Sequence, residues 1–94
     1  MAVFAVQYTY TDDAEKVQAV RPEHREYLQE LHAAGTLLLA GPLGGTPGGL
    51  LIVRAGSEEE ALAAVDGDPF LRDGVVIDRS AREWTVSIGE LPGA

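Results

Sequence analysis

The sequence predicts an α+β fold, a four-stranded antiparallel sheet with two helices on one face in the order βαββαβ. Three observations predict it. Two stretches carry helical start signals and apolar residues at helical spacing, over residues 22–34 and from Ser57 onward. Short runs rich in β-branched and aromatic residues flank them. A loop dense in glycine and proline joins two of these runs as a hairpin, which leaves each helix as a crossover between strands.

The first strand is expected over residues 2–10. Phe4, Val6, Tyr8 and Tyr10 share one of its faces, and Val3, Ala5, Gln7 and Thr9 the other. Both faces are apolar near the start, which suits a central strand. Residues 11–20 read as a polar connection with at most a short helical turn. Arg21-Pro22 marks a helix start, because proline suits the first helical position. The helix should run over residues 22–34, with Gly35 closing it. Its apolar stripe is His24, Tyr27, Leu28, Leu31 and Ala34, at helical spacing. Glu23, Arg25, Glu26, Gln29 and Glu30 take the wet face, and His32 flanks the stripe, partly exposed.

Residues 36–40 form a short apolar run that reads as a strand buried on both faces. The loop over residues 41–49 reads as a mobile tip or lid, and residues 50–55 as the next strand. The pattern Ser57 with Glu60 is a capping box for the second helix, which packs Ala61, Leu62, Ala64 and Val65 inward and ends near Asp66-Gly67. Residues 68–74 form a short turn with Asp68 as N-cap and Pro69 at the first position. Residues 75–78 and 84–88 are the last extended runs, with a polar stretch between them, as one bent strand or two. Residues 90–94 are a tail. This succession is the split βαβ pattern of a ferredoxin-like fold. It leaves one sheet face bare, and a second copy of the chain is the simplest cover.

The 94 residues suit a single domain over residues 1–94, with a core of about 3–88. Fifteen acidic and seven basic residues give a net charge of −8, with no basic cluster, so nucleic acid is not an expected partner. The absence of cysteine excludes thiolate chemistry, disulfides and cysteine metal sites. No apolar run approaches the roughly 20 residues of a membrane span, and the first residues lack a basic leader region. The chain therefore reads as cytoplasmic, with no membrane partner.

Chemistry centres on His24. It reads as a packed core histidine, as an acid/base group, or as a metal ligand; the last is disfavoured because no second histidine stands at ligand spacing. At a helix start, the dipole would favour neutral imidazole. Asp68 reads as an ordinary N-cap or as a carboxylate that orients His24. Tyr8 and Tyr10 line a pocket or are sheet residues with wet hydroxyls. Arg21 holds an anionic substrate or is a surface group. Trp84 is a packing or dimer residue. The Gly44–Gly49 stretch lacks the pattern of a phosphate loop.

Several of these segments occur together in one family. Phe4-Ala5-Val6-Gln7-Tyr8, Arg21-Pro22-Glu23-His24-Arg25-Glu26-Tyr27-Leu28, Leu38-Leu39-Ala40-Gly41-Pro42-Leu43, Gly49-Leu50-Leu51-Ile52-Val53 and Asp68-Pro69-Phe70 stand in that order. So arranged, the chain resembles the YciI-like (YCII-related) proteins over residues 3–86. The resemblance implies a ferredoxin-like dimeric α+β barrel with a site built on His24 and Asp68, beside Gly41-Pro42 and Phe70. It implies no metal and no organic cofactor. One branch of the family eliminates chloride from a chlorinated hydroxyquinol, and related barrels include muconolactone isomerases and cofactor-free oxygenases. The expected function is a small cofactor-independent enzyme doing elimination or isomerisation on a small, aromatic or enolisable molecule. The alternative is a non-catalytic small-molecule-binding or accessory dimeric domain.

Overall fold

The computed structural model describes residues 2–91. The elements are β1 (Ala2–Tyr10), α1 (Ala14–Ala33), β2 (Leu37–Leu43), β3 (Gly48–Ala55), α2 (Glu58–Ala64), the one-turn α3 (Pro69–Arg72) and β4 (Val76–Glu83). The strands form one antiparallel sheet in the order β2-β3-β1-β4. This is the ferredoxin-like arrangement, with β1 central as its two apolar faces require.

Phe4, Val6, Tyr8 and Tyr10 point to the helical side and are all buried. Val53, Leu51 and Gly49 lie opposite the first three on β3, and Ala81 opposite Val6 on β4. The helices close over this face. The Tyr27 hydroxyl donates to the Ala64 carbonyl at 3.1 Å, which ties α1 to α2. Ser57 accepts from the Glu60 N–H at 3.1 Å, and Glu60 in turn accepts from the Gly56 N–H at 2.8 Å. The Ser57 half is the capping box expected from the sequence, whereas Glu60 reaches one residue further back than that pattern, to Gly56 rather than to the Ser57 N–H.

Helix α1 starts eight residues before the expected position. Its N-cap is Asp13, whose side chain accepts from the Lys16 N–H at 3.2 Å, and Pro22 lies inside the helix. The reason is the stripe: Val17 and Val20 continue the spacing of His24, Leu28 and Leu31 upstream and pack on the core. Pro22 is exposed, so its ring faces water, although it has no N–H to give the Gln18 carbonyl. Gly35, at φ +85°, ends the helix as expected. Its N–H donates to the His32 carbonyl and the Thr36 N–H to the Leu31 carbonyl, each at 3.0 Å, the double bond of a Schellman end. Ala34, placed on the inner stripe by spacing, is exposed.

Three further expectations are corrected. The long loop over residues 41–49 is mostly strand: β2 and β3 stay paired as far as Leu43 opposite Gly48, which leaves residues 44–47 as the turn. Strand β2 is an edge strand, buried only at Leu37 and Leu38. A register shift lies between Leu37 and Leu39, and Leu39 is 44% exposed. On the C-terminal side, the polar stretch 79–83 belongs to β4, whereas residues 84–88 form no strand. At an edge, the backbone ladder with β1 sets the strand and the outer side chains stay polar. The tail expected over residues 90–94 lies outside the described residues beyond Leu91.

Candidate active site

Asp68 precedes Pro69 in the tight connection from α2 to α3. Proline at the first helical position and a short acidic residue before it define a helix start. The Asp68 carboxylate accepts from the Phe70 N–H at 2.9 Å, as an N-cap does. The same carboxylate also reaches α1: the His24 Nδ1 lies 2.8 Å from Oδ1 and 3.0 Å from Oδ2. The Tyr8 hydroxyl, from the sheet below, donates to Oδ2 at 3.1 Å. Asp68 is thus cap and histidine partner at once, and the two readings of it coincide.

Asp68 is fully shielded from solvent, and His24 is 7% exposed. A carboxylate accepts only, so the His24 Nδ1 carries the proton of this contact and Nε2 is the nitrogen left for another partner. The Phe70 ring fixes the imidazole from one side, stacked at 3.7 Å between centroids with 8° between planes. Tyr10 meets Phe70 edge-on at 5.2 Å. Burial, and then the Asp68 charge, raise the Tyr8 hydroxyl far above the usual tyrosine range. Burial likewise raises Tyr10, with Asp68 adding and Arg21 opposing.

His24 lines a cavity of about 660 Å³ between α1 and β2. That volume lies within the range of small-molecule pockets. Arg21, Gly41, Pro42 and Phe70, all expected at the site, line it too, as do Tyr10, Leu28 and Leu51. Tyr8 does not. Its side chain is 1% exposed and stands behind Asp68, where it supports the carboxylate. His24 lies eleven positions into α1, well past its first turn, so the helix-start dipole does not bear on it.

Spacing missed Arg25, Gln29 and His32, which also line the cavity. The signal was present: Arg21, Arg25, Gln29 and His32 recur at i, i+4, i+8 and i+11. The His32 Nδ1 donates to the Leu37 carbonyl at 2.8 Å. Among the described residues, no group of three or more histidines and carboxylates is placed to hold a metal ion. No helix among them is long and apolar enough to cross a membrane.

A ferredoxin-like domain with a buried histidine–carboxylate pair at the wall of a cavity is the class that fold and site define. The YCII-related domain matches residues 1–85, and the chain belongs to that family. It is 39% identical over 74 residues to protein YciI of Escherichia coli, covering 68% of this chain and 76% of that one. It is 36% identical over 76 residues to the derivative of benzaldehyde biosynthesis cluster protein C of Emericella nidulans, covering 69% of this chain and 78% of that one. Among solved structures, the 5-chloro-2-hydroxyhydroquinone dehydrochlorinase of Burkholderia phenoliruptrix, in complex with 2,5-dihydroxybenzoquinone, superposes with a TM-score of 0.75. That match covers 88% of this chain and 93% of the other at 22% identity, and shows a shared fold.

Proposed function

We propose that the chain is a small cofactor-independent enzyme that moves a proton on a small aromatic or enolisable molecule. His24 is the acid/base group and Asp68 orients it. The observation that carries this reading is the 2.8 Å contact from the His24 Nδ1 to a carboxylate sealed from solvent, on a histidine that lines a cavity. Such a partner fixes the tautomer and stabilises the imidazolium that forms when Nε2 takes a proton. Tyr8 and the Phe70 N–H hold the carboxylate, and the Phe70 ring holds the imidazole.

In the step that asks least of these residues, the His24 Nε2 removes a proton from a saturated carbon beside a carbonyl, as in the keto form of a phenol or quinol. The electron pair of the broken C–H bond forms a new double bond. A leaving group then departs with its own pair, or the proton returns at another carbon. Substrate and imidazole balance this between them, with no net oxidation. Two relatives support the aromatic substrate: one is named for a benzaldehyde cluster and the other for a dehydrochlorinase of a chlorinated hydroxyhydroquinone. The sheet face away from the helices carries Leu39 beside Ile52 and Ala5. We place a second copy of the chain there, which makes the protein a homodimer.

The test is turnover of chlorinated and hydroxylated phenols and quinols, followed by chloride release and ultraviolet absorbance, in wild type and His24→Ala. The variant should lose roughly 10²–10⁴-fold in rate while keeping its circular dichroism. A folded His24→Ala protein that turns over a confirmed substrate at the wild-type rate refutes the reading. Wild-type binding without turnover across the panel supports an accessory binding domain instead.

A further inference from the structure

We infer that the cavity is an anion site whose ligand is a small organic carboxylate with a flat apolar body. Arg21 and Arg25 hold the carboxylate, and Gln29 and His32 receive a hydroxyl at the far end. This names a substrate class for the site proposed above and rests on that reading only for the bond that reacts beside His24.

The charge distribution carries the inference. The chain has fifteen acidic residues and seven basic ones. Yet the polar side chains of the cavity wall are two arginines, two histidines, a glutamine and a tyrosine, with no aspartate or glutamate among them. The lining is thus basic in an acidic molecule, and the carboxylate nearest to it, Asp68, stands behind His24, where the His24 Nδ1, the Tyr8 hydroxyl and the Phe70 N–H already engage it. The apolar wall beside the two arginines leaves them as the charged groups an entering anion meets, although both are exposed to solvent.

The two arginines differ from Arg72 and Arg79; Arg82 also lacks an ion pair among the described residues, but it is exposed on β4 and does not line the cavity. Arg72 pairs with Glu23 at 2.9 Å and Asp73 at 2.8 Å, and Arg79 pairs with Asp66 at 2.6 Å. Arg21 and Arg25 make no ion pair among the described residues. They stand four apart on α1, a spacing at which like charges oppose the helix. A carboxylate between them would relieve that repulsion, and guanidinium groups match its two oxygens bidentately. Glu23 and Glu26 lie on the same helix but do not line the cavity.

The far end is built as well. His32 lies eight residues beyond His24, about 12 Å along the helix axis. Its Nδ1–H is committed to the Leu37 carbonyl, so in the neutral ring Nε2 is an acceptor suited to a hydroxyl donor. Between the two ends the wall is Leu28, Leu37, Leu38, Leu51 and Phe70. Such a wall suits a planar hydrocarbon body, and the two polar ends would fix its direction so that a carbon next to the carboxylate end meets His24.

The probes are 4-hydroxycinnamate and its neutral amide, titrated by NMR chemical shift against the full chain. Wild type should bind the acid about tenfold or more tightly than the amide. Arg21→Gln with Arg25→Gln should weaken the acid about tenfold and leave the amide within about twofold. Both positions are exposed, and circular dichroism checks the fold. His32→Gln should weaken both probes. Equal binding of acid and amide by wild type, no binding of either, or wild-type affinity for the acid in the double arginine variant each overturns the inference. His24→Ala separates the two claims. If it keeps the preference for the acid and also keeps turnover, the acid/base reading falls and the anion site stands.

Discussion

Removing the Asp68 side chain gives the most direct measure of how far one carboxylate holds this site together. In Asp68→Ala, three donors lose their acceptor: the His24 Nδ1, the Tyr8 hydroxyl and the Phe70 N–H. The His24 ring lines the cavity, where water can replace the carboxylate. Tyr8 and Phe70 are each 1% exposed, so their donors stay dry. An orphaned buried donor costs about 1–3 kcal/mol, and breaking a buried charged network about 3–5 kcal/mol. A 94-residue domain has a total stability of roughly 5–14 kcal/mol, so the variant gives up a large share of it. At about 5 °C per kcal/mol for a chain of this size, its melting temperature should fall by roughly 15–25 °C. Asp68→Asn is the control. Its Oδ1 still accepts from Phe70 and His24, and its amide can donate to the Tyr8 oxygen, so it should lose only about 1–2 kcal/mol. Its turnover should still fall by roughly 10²-fold or more, since the charge that stabilises the imidazolium is gone. Thermal and urea unfolding by circular dichroism read both variants. If Asp68→Ala melts within about 5 °C of wild type, the carboxylate is not the anchor of the site; if Asp68→Asn costs as much as Asp68→Ala, its charge rather than its acceptor geometry does the holding, and the partition between the two variants fails.

Two other predictions use the same measurements. All three tyrosines are raised, Tyr8, Tyr10 and Tyr27, each chiefly by burial. A phenol raised in the fold contributes stability that is complete below its unfolded value of about 10 and is lost as pH climbs toward the folded value. Tyrosinate absorbance should therefore stay low through pH 10 and rise only with alkaline unfolding; a full signal near pH 10 from folded protein contradicts it. Pro22→Ala restores a helical N–H inside α1, a gain of up to about 3 kcal/mol that the freer unfolded chain reduces by up to about 1. Urea unfolding should show a net stabilisation of about 1–2 kcal/mol, and a destabilised variant would mean that the proline ring supports the helix.

The order of elements was legible because each has a local cause. Ser57 and Glu60 start α2, Gly35 ends α1, and alternation along β1 sends Phe4, Val6, Tyr8 and Tyr10 to one side. What misled the reading was punctuation in competition with periodicity. Arg21-Pro22 looks like a start, but the stripe running back through Val17 to the Asp13 cap decides the helix, since burying that stripe outweighs one missing helical bond. The second half of strand β4, residues 79–83, hid for the opposite reason. Only Val76 and Ala81 of the strand's residues are buried, so its pairing with β1 leaves almost no trace in side-chain chemistry.

The site was legible in part, and the division follows from distance along the chain. His24 and Asp68 were each visible as chemistry-bearing residues, but 44 positions separate them and no local pattern encodes their contact. The contact follows from α1 and α3 lying on the same sheet face, with the α3 N-cap aimed at the helix beside it. The carboxylate reaches His24 because capping Phe70 already fixes its direction, so the helix start and the histidine partner are one geometry. Tyr8 shows the same logic from beneath. Its place on the inner face of a central strand makes it too buried to touch a ligand, and that burial brings its hydroxyl under Asp68. Arg25 and Gln29 escaped because polar residues on a helix are read as facing bulk water, and side chains that line an open cavity look the same in the sequence. The polar stripe of α1 is complete only once the helix is known to run from Ala14, because the expected helix began just after Arg21. Arg21, Arg25, Gln29 and His32 then fall along one side, beside the edge strand β2, and a face that looked merely wet becomes a wall with a single sign of charge.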